Sequence, residues 1–130
     1  MLSLANVLFV ALGGAFGSVC RYLLNVGATR ALGPGFPYGT LGANAVGGLL
    51  MGVLVGVLAL RGGADQEKWR LLLGVGVLGG FTTFSAFSLE TALMIERRQL
   101  EIAAFYILIS VLAAVGGLFL GLFLMRRLLA

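Results

Sequence analysis

Several side chains able to meet an ion stand inside stretches otherwise too apolar to face water. Thr40 and Asn44 lie in one such stretch, the Thr82–Ser88 cluster with Glu90 and Thr91 in another, and Tyr106 and Ser110 in a third. Polar groups at membrane depth are costly and serve either function or adhesion between helices. Asn44 offers an amide N–H₂ to an anion, or else an interhelical hydrogen bond worth about 0.6 kcal/mol. Tyr106 and Ser110 are four apart, so on a helix their hydroxyls share a face. Phe84 and Phe87 are three apart and share one too. Lipid or core contact is the ordinary use of two such rings, but a phenyl edge is electropositive and can approach a small anion. Arg21, near the end of the first apolar stretch, reads either as an anchor snorkelling to headgroups or as a charge that raises local anion concentration. Glu90 lies nearer Arg97 and Arg98 than the centre of its stretch, within reach of the interface or of a hydroxyl partner.

Other chemistries are poorly served. The chain has no histidine and one cysteine, Cys20, which excludes an intramolecular disulfide and any multi-cysteine metal site. No nucleophile–base pair is visible, so an enzyme is not expected. The net charge of +4 comes from basic residues placed singly or in pairs at the edges of apolar runs. No patch tracks a phosphate backbone, so nucleic acid is not an expected partner.

The elements that must position these residues are membrane spans. Hydrophobic residues make up 60% of the 130, charged residues only 11%, and the mean hydropathy is +1.08. A soluble domain carries about 25% charged residues. A hydrocarbon core about 30 Å thick needs roughly 20 apolar residues. Four stretches qualify, at 4–24, 39–60, 71–95 and 102–125, within a single domain, 1–130. The first stretch is apolar from Leu2 without a basic leader, and is read as a transmembrane helix and not a cleaved signal. Gly33-Pro34-Gly35-Phe36-Pro37 breaks the chain after it. The connection from Arg61 to Arg70 holds most of the loop charge, and the short one around Glu96-Arg97-Arg98-Gln99 predicts an antiparallel hairpin of spans three and four. Tyr22, Tyr38 and Trp69 sit near span ends as interfacial aromatics do.

Two anomalies bear on assembly. One side collects Arg61, Lys68, Arg70, Arg126 and Arg127, the other Arg21, Arg30, Arg97 and Arg98. Five against four chooses no orientation under the positive-inside rule, so insertion both ways and an antiparallel dimer are expected. Glycine contributes 21 residues, and each span carries small-residue spacing: Gly13/Gly17, Gly48/Gly52/Gly56, Gly76/Gly80 and Gly117/Gly121. Such spacing lets helix backbones approach where lipid offers no hydrophobic drive. The third span, with Gly79-Gly80 followed by Thr82-Thr83, makes a poor helix centre. It is expected either to break and free backbone groups for an ion, or to kink with hydroxyls bonding back to i−4 carbonyls.

Three motifs then carry a resemblance over nearly the whole chain. They are Gly13-Gly14-Ala15-Phe16-Gly17-Ser18-Val19-Cys20-Arg21-Tyr22, Gly39-Thr40-Leu41-Gly42-Ala43-Asn44-Ala45-Val46-Gly47, and Gly79-Gly80-Phe81-Thr82-Thr83-Phe84-Ser85-Ala86-Phe87. In order and placement the sequence resembles the Fluc (CrcB-type) fluoride channels. The resemblance implies an all-α protein of four transmembrane helices with the third broken near its middle. It further implies a dual-topology antiparallel homodimer with two fluoride pores at its interface, in a cell membrane. It implies a structural sodium ion held by the Gly79 and Thr82 carbonyls of both chains. Phe84 and Phe87 match the family's pore phenylalanines, Asn44 its pore asparagine, Tyr106 and Ser110 its fourth-helix pore residues and Arg21 its vestibule arginine. Thr40, Thr83 and Ser85 join them as hydroxyls of the path. Ala86 departs from the family's usual threonine or serine, and Leu49 from a common phenylalanine. The physics agrees, because a small, tightly hydrated anion needs close donors and ring edges without a buried cationic side chain that would hold it too firmly. Competing expectations are a small proton-coupled multidrug exporter with Glu90 as its carboxylate, and a scaffold that uses the glycine faces only to assemble.

Overall fold

Ser3 opens the first helix. Its hydroxyl accepts the Asn6 amide at 3.2 Å, pairing one of the donors that every helix start leaves free. In the computed structural model, which describes residues 2–130, α1 runs Leu4–Leu32. It passes the expected end at Leu24 because nothing before Gly33 opposes a helix. Gly33 stops it with φ 85°, a conformation only glycine adopts freely, and Pro34 follows. Arg21 is therefore about three turns inside α1 and not at its end.

The remaining helices follow the expected order. α2 spans Tyr38–Arg61. The connection expected from 61 to 70 is mostly wound: Gly63, with φ 60°, begins a tight turn, and α3 covers Gln66–Trp69. Arg70 donates to Glu67 from two nitrogens, at 2.7 and 3.1 Å. Both side chains are exposed, so this pair adds little stability. The chain then widens into a π-helical stretch, Arg70–Leu78, in which the Gly79 amide reaches back to the Gly74 carbonyl. α4 (Gly79–Phe81) and α5 (Phe84–Glu96) follow, separated by Thr82 and Thr83. A turn through Arg98, at φ 60°, leads to α6, Leu100–Leu129. The stretches Leu4–Leu32, Tyr38–Arg61, Gly63–Glu96 and Leu100–Leu129 are all long and apolar enough to cross a membrane.

Glycine decides which helices meet. α1 lies on the π-helical stretch and α4, and α2 lies along α6. A methyl group at Gly17 would strike the Val77 carbonyl, and one at Gly80 the Gly14 backbone. Across the other pair, Gly48 and Gly52 abut the Ala114 and Leu118 carbonyls, while Gly121 abuts that of Leu49. Most of the spaced glycines read from the sequence thus lie against the backbone of a neighbouring helix with no room for a side chain, whereas Gly56 meets the Met125 side chain. Little apolar core stands behind them: Met94, Ala103 and Tyr106 form the main buried cluster, with Phe36, Leu41 and Phe87 packed against it. The outer faces of α1 and α6 expose Leu12, Phe16, Phe105 and Leu112, as surfaces in contact with lipid do.

The α2–α6 contact is the sharpest test of this packing. Gly52→Val should destabilise the protein by about 1–3 kcal/mol, the usual cost of overpacking a close contact. Gly27→Ala, where a methyl group meets nothing within 4 Å, should leave stability unchanged or slightly raised. Thermal unfolding in detergent, followed by Trp69 fluorescence, distinguishes the two.

Candidate functional site

The residues with ion-binding chemistry fall into two clusters. The first lines a groove of about 430 Å³ between α2, the start of α5 and α6. Asn44, Thr82, Phe84, Phe87 and Ser110 line it, with apolar residues such as Met51 and Leu118 continuing the walls. Gly47 and Gly48 form part of the α2 wall, and the Thr82 methyl lies where a Gly47 side chain would project. The groove is open: Phe84 is 76% exposed, and its ring lies 5.5 Å from that of half-buried Phe87 at 48°. Asn44 Oδ1 and Ser110 Oγ are buried here without a hydrogen-bond partner. A half-turn of the Asn44 amide exchanges its oxygen and nitrogen, so the same position serves as donor or acceptor. Buried polar atoms that the protein leaves unpaired are costly unless water or another polar group reaches them, and here the open groove gives that access.

The α4–α5 junction forms one end of this wall. Thr82 has φ −130° and ψ 32°, and Thr83 has φ −50° and ψ 128°, so neither continues a regular helix. The Thr82 hydroxyl donates to the Leu78 carbonyl at 3.0 Å, the i−4 bond of the kink alternative. Thr83 caps α5 by accepting the Ala86 amide at 3.4 Å, and its hydroxyl lies 2.8 Å from that of Ser85. Thr83 and Ser85 are thus engaged with each other at the cap and do not line the groove. The first amides of α5 are of the kind that helix starts leave unpaired.

The second cluster surrounds Glu90. The Thr40 hydroxyl donates to its Oε1 at 2.5 Å, and the Tyr106 hydroxyl lies 3.5 Å from Oε2. Tyr106 is fully buried, with its ring 5.1 Å from Phe87, so it backs the groove from behind. A separate cavity of about 270 Å³ reaches Thr40 and Glu90 from the loop end, with Asn25, Arg97 and Gln99 among its walls. Thr40 and Tyr106 therefore meet Glu90 and not the groove. Arg21 and Gly79 line neither space. Arg21 is half-buried with an unpaired Nε, and Gly79 is exposed. Sequence reasoning gave Glu90 a reachable hydroxyl partner but not its identity, because Thr40 lies 50 residues away. The contribution of Met51 to the groove carried no signal at all.

A bundle of membrane-crossing helices around a largely apolar groove that carries an amide, two hydroxyls and two phenyl rings defines a multi-pass membrane protein with a few polar groups gathered at one place. The chain belongs to the family described as CrcB-like protein, Camphor Resistance (CrcB), whose profile matches residues 8–122. It is 65% identical to the Fluoride-specific ion channel FluC of Phenylobacterium zucineum (strain HLK1), over 95% of this chain and 98% of that one. It is 60% identical to the protein of that name from Caulobacter sp. (strain K31), over 95% and 97%. The corresponding protein of Caulobacter vibrioides (strain NA1000 / CB15N) is 59% identical, over 96% and 98%.

The Glu90 cluster predicts a graded response to substitution. Glu90→Ala deprives the Thr40 hydroxyl of its acceptor and should cost about 1–3 kcal/mol. Glu90→Gln keeps a carbonyl oxygen for that bond and should retain most of the stability. Chemical unfolding of the two variants in detergent checks the order.

Proposed function

We propose that this chain is a subunit of a passive, fluoride-selective channel that lets fluoride leave the cytoplasm. The observation that carries the reading is the convergence of Asn44, Ser110, Phe84 and Phe87 on one groove in which two buried polar atoms lack partners. Fluoride holds its water tightly, and a path must replace that water with donors at close range. An Asn44 amide, a Ser110 hydroxyl and two phenyl edges do so without a cationic side chain. The relatives' name, fluoride-specific ion channel, points the same way.

One chain supplies only part of the path. The groove is open on the side where Phe84 is exposed, and a second copy would close it. With five basic residues on one side and four on the other, both orientations are equally acceptable. The proposed unit is accordingly an antiparallel homodimer with two pores at the interface. A structural sodium ion would be held by the carbonyls of Gly79 and Thr82 from both chains, at the junction of α4 and α5. The donor chemistry fits, because carbonyl oxygens suit a hard cation. Exposed Gly79 also leaves its backbone open to a second copy. When bound, the ion supplies fixed positive charge near the path. The protein's own residues do the rest: Thr82 and Thr83 hold the junction, and Phe87 is held by Tyr106 behind it.

A proton-coupled exporter is the less favoured reading. Glu90 would be its carboxylate, yet Thr40 and Tyr106 hold it outside the groove. A mere scaffold would have no use for unpaired polar atoms in an open groove.

Fluoride efflux from liposomes containing the purified protein, with chloride as control, tests the proposal. Fast, fluoride-selective efflux without a proton gradient is expected, and none from well-folded protein overturns it. Asn44→Asp should reduce efflux at least about a hundredfold, because like charges about 4 Å apart at an effective dielectric of 20 repel by about 4 kcal/mol. Phe84→Ile should also reduce it while leaving thermal unfolding nearly unchanged. Reporters fused to the C-terminus should read both sides of the membrane; a single orientation would sink the antiparallel arrangement.

A further inference from the structure

The groove ring Phe87, which meets Phe84 on one side, joins a longer run of rings on the other. Phe87 meets Tyr106 with centroids 5.1 Å apart, Tyr106 meets Phe36 at 5.4 Å and 85°, and Phe36 meets Tyr38 at 5.0 Å. Phe36 comes from the connection between α1 and α2, outside both helices and outside the groove.

Its backbone is pinned. Pro37 has φ −79° and ψ 65°, and the Tyr38 amide donates to the Phe36 carbonyl at 2.8 Å, which is an inverse γ-turn. Proline fixes its own φ and confines the residue before it to extended conformations. From this fixed base the half-buried Phe36 ring enters the bundle and meets Tyr106 in the T-shaped arrangement that ring quadrupoles favour. Tyr106 has little freedom of its own. It is fully buried, with Phe36 and Phe87 against its ring and the Glu90 carboxylate 3.5 Å from its hydroxyl. In a close-packed site a displaced ring passes the strain to its neighbour. Phe87 has fewer constraints, because the groove lies along one side of it.

We infer that Phe36 is a positioning residue, which sets the tilt of Phe87 against the groove by way of Tyr106. The consequence for transport rests on the channel reading above; the geometric relation does not. 4-Fluorophenylalanine placed at position 87 of the full chain reports the surroundings of that ring by fluorine NMR, with no transport required. Phe36→Ala should shift and broaden the resonance. Phe36→Tyr, which keeps the ring, should restore it, and Phe123→Ala, which removes an exposed ring elsewhere on α6, should leave it unmoved. Phe36→Leu keeps apolar bulk without a ring edge and gives the same reading if Phe36→Ala fails to fold. In liposomes Phe36→Ala or Phe36→Leu should slow fluoride efflux by up to about tenfold, the scale of one lost aromatic pair, while Phe36→Tyr retains it. An unmoved resonance in both the Ala and Leu variants overturns the inference. A moved resonance with unchanged efflux overturns its functional half. A moved resonance in a protein that passes no fluoride supports the positioning relation and defeats the channel reading instead.

Discussion

Helices in lipid have no hydrophobic reason to associate, since a hydrocarbon chain wets leucine as well as another leucine does. Attraction must come from dispersion at close range, and here it comes from backbone lying on backbone. Gly17 sits under the Val77 carbonyl, Gly80 against Gly14, and Gly52 under the Leu118 carbonyl. Each contact fixes two helices in rotation as well as distance, because a turn of either brings a side chain into a space with no room for one. The two helix pairs so formed, α1 with the first half of the third span and α2 with α6, set where everything else lies. Asn44 falls one turn before Gly48, and Ser110 one turn before Ala114, whose carbonyl Gly48 abuts. The register that brings these glycine contacts together also brings the amide and the hydroxyl to one groove.

This way of packing explains why the groove exists. Backbone contact fills the seams between helices but leaves few large side chains for a core. Among the described residues, only Tyr106 of the large ones is wholly buried. Space therefore remains where α5 departs from the line of α4, and polar groups at that place keep their hydrogen-bonding capacity. Thr82 and Thr83 keep the junction from being merely frayed. One returns its hydroxyl to the Leu78 carbonyl and the other caps the new helix, so irregular backbone at membrane depth is held by its own side chains.

Much of this was legible in the sequence because membrane proteins obey severe rules. Apolar length gave the four spans, and i, i+4 glycines gave the faces that pack. The Gly33–Pro37 breaker gave the first connection. Helix extents were less legible. α1 continues to Leu32 because hydrophobicity marks where lipid ends, whereas a helix ends only where the backbone must turn. The π-helical stretch was hidden for a related reason, since an apolar run rich in glycine tolerates more than one winding and the choice is made by the helix against it. Among the site residues, Asn44, Ser110, Phe84 and Phe87 were legible as local patterns. The partnership of Thr40 and Tyr106 with Glu90 was not, because it is made between helices. Thr83 and Ser85 look from sequence like two more hydroxyls for an ion, and the structure adds what the pattern did not show, that Thr83 caps α5 and pairs with Ser85.

The placement of Glu90 ties the two clusters into one electrostatic design. A carboxylate facing the groove would repel an anion there, and its removal from the bundle would strand the Thr40 hydroxyl. In the structure the carboxylate is turned to Thr40 and Tyr106, beside a cavity that opens at the loop end. The Tyr106 ring, whose hydroxyl lies 3.5 Å from that carboxylate, packs 5.1 Å from Phe87 on the side away from the groove. The groove is thus lined by neutral dipoles, phenyl rings and apolar side chains, with no charged side chain among them. The acidic group stands against hydroxyls from α2 and α6, outside the groove, and this placement is what leaves the groove's lining neutral.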